Sequence, residues 1–138
     1  TTVRILIDSD NTQDTGYYYP GLGADHLIEI YGEDTGDLLV ISWGGVFGSV
    51  KSGVKKAHEE NLSVSHIHLR HLNPFPSNLG ECLLNFDKVL IPELNMGHLK
   101  SIIRDRYLVD AKGFNKISGK PFTSSEIFEK IKIILTEE

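Results

Sequence analysis

The sequence predicts an α/β fold with a mostly parallel sheet. From residue 37 onward, short apolar, β-branched runs alternate with segments whose apolar residues recur at helical spacing, an alternation typical of strand–helix–strand units. Residues 38–41 form a continuous apolar run, as expected of a strand covered on both faces. Residues 37–42 are therefore predicted to be the first strand of this sheet.

The next elements are predicted from apolar spacing and turn chemistry. Apolar residues at helical spacing predict a helix over about residues 49–60, and residues 62–69 predict the second strand. The strand leads to residues 73–76, where two prolines cannot donate to a ladder. Asn78 and Glu81 have the spacing of a capping box and predict the start of a short helix.

A third strand is predicted at residues 88–91, ending at Pro92 because proline lacks the backbone N–H. A loop then leads to a helix in which Leu99, Ile102 and Ile103 are expected to face inward.

The C-terminal segment predicts a fourth strand and a final helix. The strand is expected at residues 107–111, and the helix starts at a capping box formed by Thr123 and Glu126. Its apolar stripe consists of Ile127, Ile131, Ile134 and Leu135.

The first residues give a weaker pattern. Residues 3–7 are compatible with a strand, but residues 8–23 are rich in turn formers. We interpret residues 1–27 as an arm or linker and residues 28–138 as one α/β domain. The chain starts with Thr1 rather than Met, so it is expected to be a processed product or a piece of a longer protein.

Composition excludes several function classes. A net charge of -5 and a pI near 5.6 disfavour nucleic-acid binding, which needs clustered Lys and Arg. The single cysteine, Cys82, cannot form an internal disulfide or hold an iron–sulfur cluster alone. No apolar run reaches the length of a membrane span and no signal peptide is recognisable, so a cytoplasmic location is expected.

A glycine-rich turn after the first strand is a candidate anion site. Backbone N–H groups at a helix start attract anions, and Gly44, Gly45, Gly48 and Ser49 occupy this position. Their spacing matches neither the dinucleotide-binding nor the P-loop pattern. The simpler interpretation, that the glycines permit a tight strand-to-helix turn, is favoured.

Two histidines of the second strand share one face. His66 and His68 lie two residues apart, a spacing that suits two zinc ligands. No third ligand is evident nearby, and Arg70 on the same face would repel a cation. Hydrogen-bonded structural or interface histidines are therefore favoured over metal ligands.

The loop after the third strand gives the best local site signal. Glu93, Asn95 and His98 follow the carboxyl end of a strand, the edge at which open α/β sheets usually bind ligands. The alternative is structural: Asn95 and Gly97 shape the loop, and Glu93 caps or pairs.

An acidic pair near the N-terminus offers a distant alternative. Asp8 and Asp10 follow an apolar run, and this segment resembles haloacid dehalogenase phosphotransferases, in which Asp8 would be the nucleophile and Asp10 the acid/base. No convincing downstream acidic pair for Mg²⁺ is present, so this function is disfavoured.

Four segments in order carry a family resemblance. They are residues 36–44, 66–76, 89–99 and 119–122. From about Ile28 to the C-terminus, the chain resembles the terminal domain of the alpha subunit of 2-oxoacid:ferredoxin oxidoreductases, and is most similar to the 2-oxoglutarate type. The resemblance implies a three-layer α/β/α sandwich like the transketolase C-terminal domain.

The resemblance also implies cofactors and partners. Such enzymes oxidatively decarboxylate a 2-oxoacid, transfer the acyl group to coenzyme A and reduce ferredoxin through iron–sulfur clusters. Thiamine diphosphate with Mg²⁺ supplies the carbanion chemistry. This sequence has no Gly-Asp-Gly motif with a trailing Asn and no Cys cluster, so these cofactors are expected in other domains or subunits and none in this domain.

The leading hypothesis is an accessory domain that contacts the other alpha-subunit domains, the beta subunit, and gamma or delta subunits where present, with ferredoxin reached through the complex. No nucleic-acid or membrane partner is expected. The interface candidates are Arg70, Asn73, Phe75, Glu93, Asn95 and His98. The rival is a free-standing small-molecule or anion-binding module that uses residues 44–49.

Overall fold

The computed structural model describes residues 3–6 and 28–137, with only the backbone at residues 3–6 and 29. The hypothesis built on Asp8 and Asp10 therefore lies outside the described residues. The elements in chain order are β1 (Val3–Leu6), β2 (Ile28–Tyr31), β3 (Gly36–Trp43), a 3-10 turn (Gly44–Val46), α1 (Phe47–Glu59), β4 (Val64–Leu69), α2 (Leu79–Leu84), β5 (Phe86–Glu93), α3 (His98–Tyr107), β6 (Lys112–Asn115) and α4 (Ser124–Thr136).

These strands form one sheet in the order β1-β2-β4-β3-β5-β6. Strand β3 pairs in parallel with β4 and β5, and β5 pairs in parallel with β6. The two N-terminal strands add antiparallel pairs at one side, so the strand that residues 3–7 allow is present as β1. The predicted mostly parallel α/β sheet is confirmed. The division into residues 1–27 and 28–138 stays a prediction.

The central strand β3 separates two apolar cores. Leu38 and Val40 point into a cluster with α1 and α4, whereas Leu39 and Ile41 point into a cluster with α2 and α3. All four side chains are fully buried, as the continuous apolar run predicts. The helices thus cover both faces of the sheet, which confirms the three-layer sandwich.

Helices α1 and α4 pack closely at a glycine. A Cβ atom at Gly53 of α1 would lie 2.6 Å from the Ile127 side chain of α4, so only glycine permits this approach without rearrangement. The capping box predicted for α4 is present: Glu126 N–H donates to Thr123 Oγ1, and Thr123 N–H donates to the Glu126 carboxylate.

The third strand is longer than predicted, because it passes through Pro92 and ends at Glu93. Beyond Leu90, β5 pairs only with β6. A strand with a neighbour on one side can accommodate a missing N–H on its other side, and this is why Pro92 does not end the strand.

The predicted fourth strand at residues 107–111 is wrong. Helix α3 continues to Tyr107 and ends where Leu108 adopts a left-handed conformation with φ 55°. The fourth parallel strand is β6. Ile102 is 51% exposed, so its predicted inward orientation is also wrong. Leu99 and Ile103, four residues apart, form a narrow buried stripe that leaves Ile102 to one side.

The capping box predicted at Asn78 is absent. Asn78 precedes α2, but its side chain makes no capping hydrogen bond. The helix is only six residues long, and its buried Leu79, Cys82 and Leu83 attach it to the sheet. Packing rather than capping therefore holds this helix in place.

Candidate functional site

Glu93 connects two elements at the carboxyl edge of the sheet. Its side chain is buried, and Oε1 accepts hydrogen bonds from Leu99 N–H at 2.7 Å and from the Trp43 indole N–H at 3.1 Å. Oε2 accepts from Lys100 N–H at 3.2 Å. A carboxylate at a helix N-terminus is stabilised by the unpaired N–H groups and the helix dipole. Glu93 therefore joins the end of β3 to the start of α3.

The loop between β5 and α3 is shaped by Asn95 and Gly97. Asn95 Oδ1 accepts from Gly97 N–H at 2.8 Å and from His98 N–H at 2.9 Å, an Asx-type turn. Gly97 has φ +94°, and a Cβ atom there would lie 2.9 Å from Asn115 Nδ2. The geometry agrees with the structural alternative, in which Asn95 and Gly97 shape the loop and Glu93 caps the helix. The His98 side chain remains exposed.

This constrained loop presents apolar side chains outward. Leu94 is 42% exposed and Met96 is 73% exposed. Ile117, 65% exposed, follows the end of β6, where Asn115 is paired with Glu93. Large exposed apolar side chains that lie at one edge of a domain are typical of contact surfaces.

His66 and His68 share a hydrogen-bond partner that the sequence did not reveal. Ser42 Oγ lies 2.7 Å from His66 Nε2 and 2.8 Å from His68 Nδ1. The rings of Tyr31 and Phe47 pack beside His66, with centroids 5.7 and 5.9 Å away. The prediction that both histidines lie on one face and are hydrogen-bonded is confirmed.

Both histidines of this cluster are kept neutral by their surroundings. Burial, followed by the adjacent His68 and Lys51, lowers the pKa of His66 to about 3. Burial and then Arg70 lower the pKa of His68. Among residues 28–137, no three His, Cys, Asp or Glu side chains lie together as a metal site would require.

The hydrogen bonds of Ser42 favour one arrangement of protons. One hydroxyl has one proton, so Ser42 donates to one histidine and accepts from the other. His66 Nδ1 is buried and has no partner among the described residues, and a buried N–H without a partner is costlier than a buried acceptor. We therefore assign His66 Nε2–H as the donor to Ser42, and Ser42 as the donor to His68 Nδ1.

The glycine-rich turn is open to solvent. Gly44 has φ +63°, a conformation that favours glycine, and a Cβ atom at Gly44, Gly45 or Gly48 would meet nothing within 4 Å. The Ser49 hydroxyl donates to the Phe122 carbonyl at 2.7 Å. Ser49 therefore ties α1 to the segment before α4, and the anion site at this turn stays a prediction.

The other interface candidates belong to the segment between β4 and α2. Arg70 and Asn73 are exposed in the segment after β4. Phe75 is buried, with its ring centroid 6.1 Å from that of Tyr107 at the far end of α3. Glu93, Asn95 and His98 lie together because they occupy the end of β5, the following loop and the first residue of α3.

The single cysteine lies in the core. Cys82 is buried, and burial, followed by Asp34 and Glu81, raises the pKa of its thiol to about 11. A thiol of this kind is protonated at neutral pH and is a poor nucleophile. No helix among residues 28–137 has the length and apolar character needed to cross a bilayer.

Comparison with known sequences points to one group of enzymes. No protein-family profile matches the chain. The chain is 40% identical over 122 residues, 87% of its length, to the 2-oxoglutarate oxidoreductase subunit KorA of Mycobacterium tuberculosis. It is 29% identical over 101 residues, 71% of its length, to the 2-oxoglutarate synthase subunit KorA of Methanothermobacter marburgensis. It spans 18% and 27% of the lengths of these two subunits.

Solved structures agree with the sequences. A 2-oxoglutarate:ferredoxin oxidoreductase from Magnetococcus marinus, solved with 2-oxoglutarate, coenzyme A and succinyl-CoA bound, matches with a TM-score of 0.75 and 27% identity, over 79% of this chain and 20% of that chain. The chain is a homologue of the C-terminal domain of 2-oxoacid:ferredoxin oxidoreductase alpha subunits.

Two further structures bear on this alpha-subunit homologue. The alpha chain of a probable 2-oxoacid ferredoxin oxidoreductase from Thermoplasma acidophilum matches with a TM-score of 0.55 and 25% identity, over 80% of this chain and 97% of that chain. A split-gene transketolase matches with a TM-score of 0.57 and 16% identity, over 77% of this chain and 43% of that chain. The transketolase likeness concerns the fold alone and confirms the transketolase-like sandwich.

The segments that carry the alpha-subunit resemblance contact one another. Trp43, at the end of segment 36–44, donates to Glu93 of segment 89–99. Ser42 of the first segment bonds both histidines of segment 66–76. These contacts give a structural reason for the residue types in three of the four segments.

Proposed function

We propose that the chain is the supporting C-terminal domain of the alpha subunit of a thiamine-diphosphate-dependent 2-oxoacid:ferredoxin oxidoreductase, with 2-oxoglutarate as the 2-oxoacid. The parent enzyme converts the 2-oxoacid to its acyl-CoA and reduces ferredoxin. The domain contributes assembly and interdomain packing rather than chemistry. The observation that carries the proposal is the 40% identity, over 87% of the chain, to a 2-oxoglutarate oxidoreductase subunit of which it covers 18%.

The polar groups of the domain support a structural role. The Glu93 carboxylate and the Asn95 side chain are bonded to backbone N–H groups of the same loop and helix. Ser42 is fully buried and bonded to two histidines, so it is not accessible as a nucleophile. Groups committed in this way hold a local geometry and do not transfer protons to a substrate.

The cofactors and partners of the parent enzyme belong to the same proposal. Iron–sulfur clusters are held by other domains or subunits, since the chain has one cysteine and that cysteine is buried. Thiamine diphosphate and Mg²⁺ are assigned there because the sequence has no Gly-Asp-Gly motif with a trailing Asn, and coenzyme A is assigned there as part of the same proposal. The domain contacts the remaining alpha-subunit domains, the beta subunit, and gamma or delta subunits where present. The assembly works in the cytoplasm and passes electrons to ferredoxin.

Reconstitution tests this function. The tagged chain is co-expressed with the remaining alpha-subunit domains and the beta subunit, and 2-oxoglutarate- and coenzyme-A-dependent reduction of ferredoxin is measured. We expect co-purification and turnover by the assembly, with no turnover by the 138-residue chain alone. Turnover by the chain alone, or an assembly that forms and is fully active without it, would refute the proposal.

A further inference from the structure

Charged side chains of the described residues are distributed unequally between the two edges of the parallel strands. At the amino edge, acidic residues precede or begin the strands, and they include Asp37, Asp87 and Asp110. Arg104 and Lys112 at this edge both pair with Asp110. The amino edge therefore has no large excess of positive charge.

The carboxyl edge has the opposite character. Its basic side chains follow the strand ends or lie in the first turns of the adjoining helices, and they are Lys51, Arg70, Lys100, Lys116 and Lys120. Its described carboxylates are Glu93, which is bonded to α3 N–H groups, and Glu126, which is paired with Lys116. Among the described residues of this edge, basic side chains outnumber carboxylates, in a chain whose net charge is -5. The N-termini of α1, α3 and α4 add to the positive potential there.

Apolar side chains lie within this basic edge. Leu94, Met96 and Ile117 are 42%, 73% and 65% exposed, with Lys100 and Lys120 a few residues further along the chain. Asn95, Gly97 and Glu93 hold the loop that carries two of the three. Little conformational entropy is thus lost when this surface binds a partner.

We propose that the surface formed by Leu94, Met96, Ile117, Lys100 and Lys120 docks onto an acidic protein surface with an apolar centre. This proposal rests on the proposed function, since the other domains or subunits of the parent enzyme provide the partner. Protein interfaces combine an apolar core, in which Met is enriched, with a polar rim. A small anion would leave the three apolar side chains in water, and charge complementarity selects an acidic protein.

The experiment compares matched charge reversals in the reconstituted assembly. The test variant is Lys100→Glu/Lys120→Glu, which combines one half-buried and one exposed lysine. The control is Lys55→Glu/Lys130→Glu, which combines one exposed and one half-buried lysine of α1 and α4 and changes the net charge equally. We expect the test variant to weaken association with the rest of the parent enzyme by about tenfold or more at low salt, and the control to leave it unchanged.

A second pair of variants tests the apolar centre. Leu94→Ser/Met96→Ser is compared with Leu84→Ser/Leu108→Ser, whose side chains are 77% and 89% exposed elsewhere on the chain. Only the first pair is expected to lower affinity. Thermal unfolding of each variant establishes that it remains folded.

The outcomes separate this inference from the proposed function. If the chain associates with the parent enzyme and the test and control variants bind equally well, the docking surface is wrong and the proposed function stands. If the unaltered chain does not associate at all, the proposed function fails and the inference fails with it. Carbodiimide cross-links from Lys100 or Lys120 to carboxylates of the partner would support the docking surface directly.

Discussion

Lowering the pH from 7 to 5 is expected to reduce the free energy of unfolding by about 2 kcal/mol through His66 alone. The imidazole is fully buried, and its Nδ1 has no hydrogen-bond partner among the described residues. Adding a proton would place a charge beside Lys51 and His68 in a site closed to water. Protonation therefore favours the unfolded chain.

The direction and size follow from linkage between protonation and folding. The pKa of His66 is 6.5 in the reference state and about 3 in the folded chain. Its contribution to stability is fully present above pH 6.5 and is lost progressively as the pH falls toward 3. Integrating proton uptake by the unfolded state from pH 7 to 5 gives about 2 kcal/mol. The lowered pKa of His68 acts in the same direction.

Urea unfolding at several pH values, followed by far-ultraviolet circular dichroism and by fluorescence of the single Trp43, measures this loss. His66→Gln keeps a group that can bond Ser42 but does not titrate. The unaltered chain should lose about 2 kcal/mol more than this variant between pH 7 and 5. Parallel pH profiles for the two proteins would show that His66 is not held neutral by burial.

Three substitutions test contacts within the fold, each by its urea midpoint. Glu93→Gln should lower the free energy of unfolding by about 2 kcal/mol, because an amide nitrogen would face a backbone N–H; a change within experimental error would contradict the capping role. Gly53→Ala should lower the free energy of unfolding by about 1–3 kcal/mol, because the added Cβ would overlap Ile127. The control Gly48→Ala, where the Cβ meets open space, should be neutral or stabilising. Equal effects of the two substitutions would show that the Gly53–Ile127 contact is not tight. Thr123→Ala should lower the free energy of unfolding by about 1 kcal/mol, because α4 loses its N-cap. An unchanged urea midpoint would show that this cap does not contribute to stability.

Local signals in the sequence predicted much of the fold. The apolar run at residues 38–41 identified the strand covered on both faces, and the spacing of Thr123 and Glu126 identified the start of α4. The two-residue spacing of His66 and His68 placed both on one face. Each of these features depends on neighbouring residues, and for that reason the sequence reveals it.

Other features depend on residues far apart in sequence. The Trp43–Glu93 hydrogen bond joins residues 50 positions apart, and no local pattern indicates it. Strand β6 has little apolar pattern, and its parallel pairing with β5 is what defines it as a strand. Pro92 stays within its strand for the related reason that one side of β5 lacks a neighbour there.

Local sequence signals also predicted only part of the candidate site. Its carboxyl-edge position followed from strand order, and the loop composition indicated that Asn95 and Gly97 shape a turn. The sequence could not show that Glu93 is buried or that Phe75 packs beside Tyr107. Burial depends on which layers meet, and that is settled by tertiary packing.

The alternation of side chains along β3 has a consequence for how the molecule comes apart. Consecutive residues of this strand pack against opposite helical layers. Both pairs of helices therefore depend on the same strand. If α1 and α4 detach from β3, the strand against which α2 and α3 also pack is destabilised. We expect the two layers to open together, with amide exchange of residues 38–41 the slowest in the chain and equal on both faces.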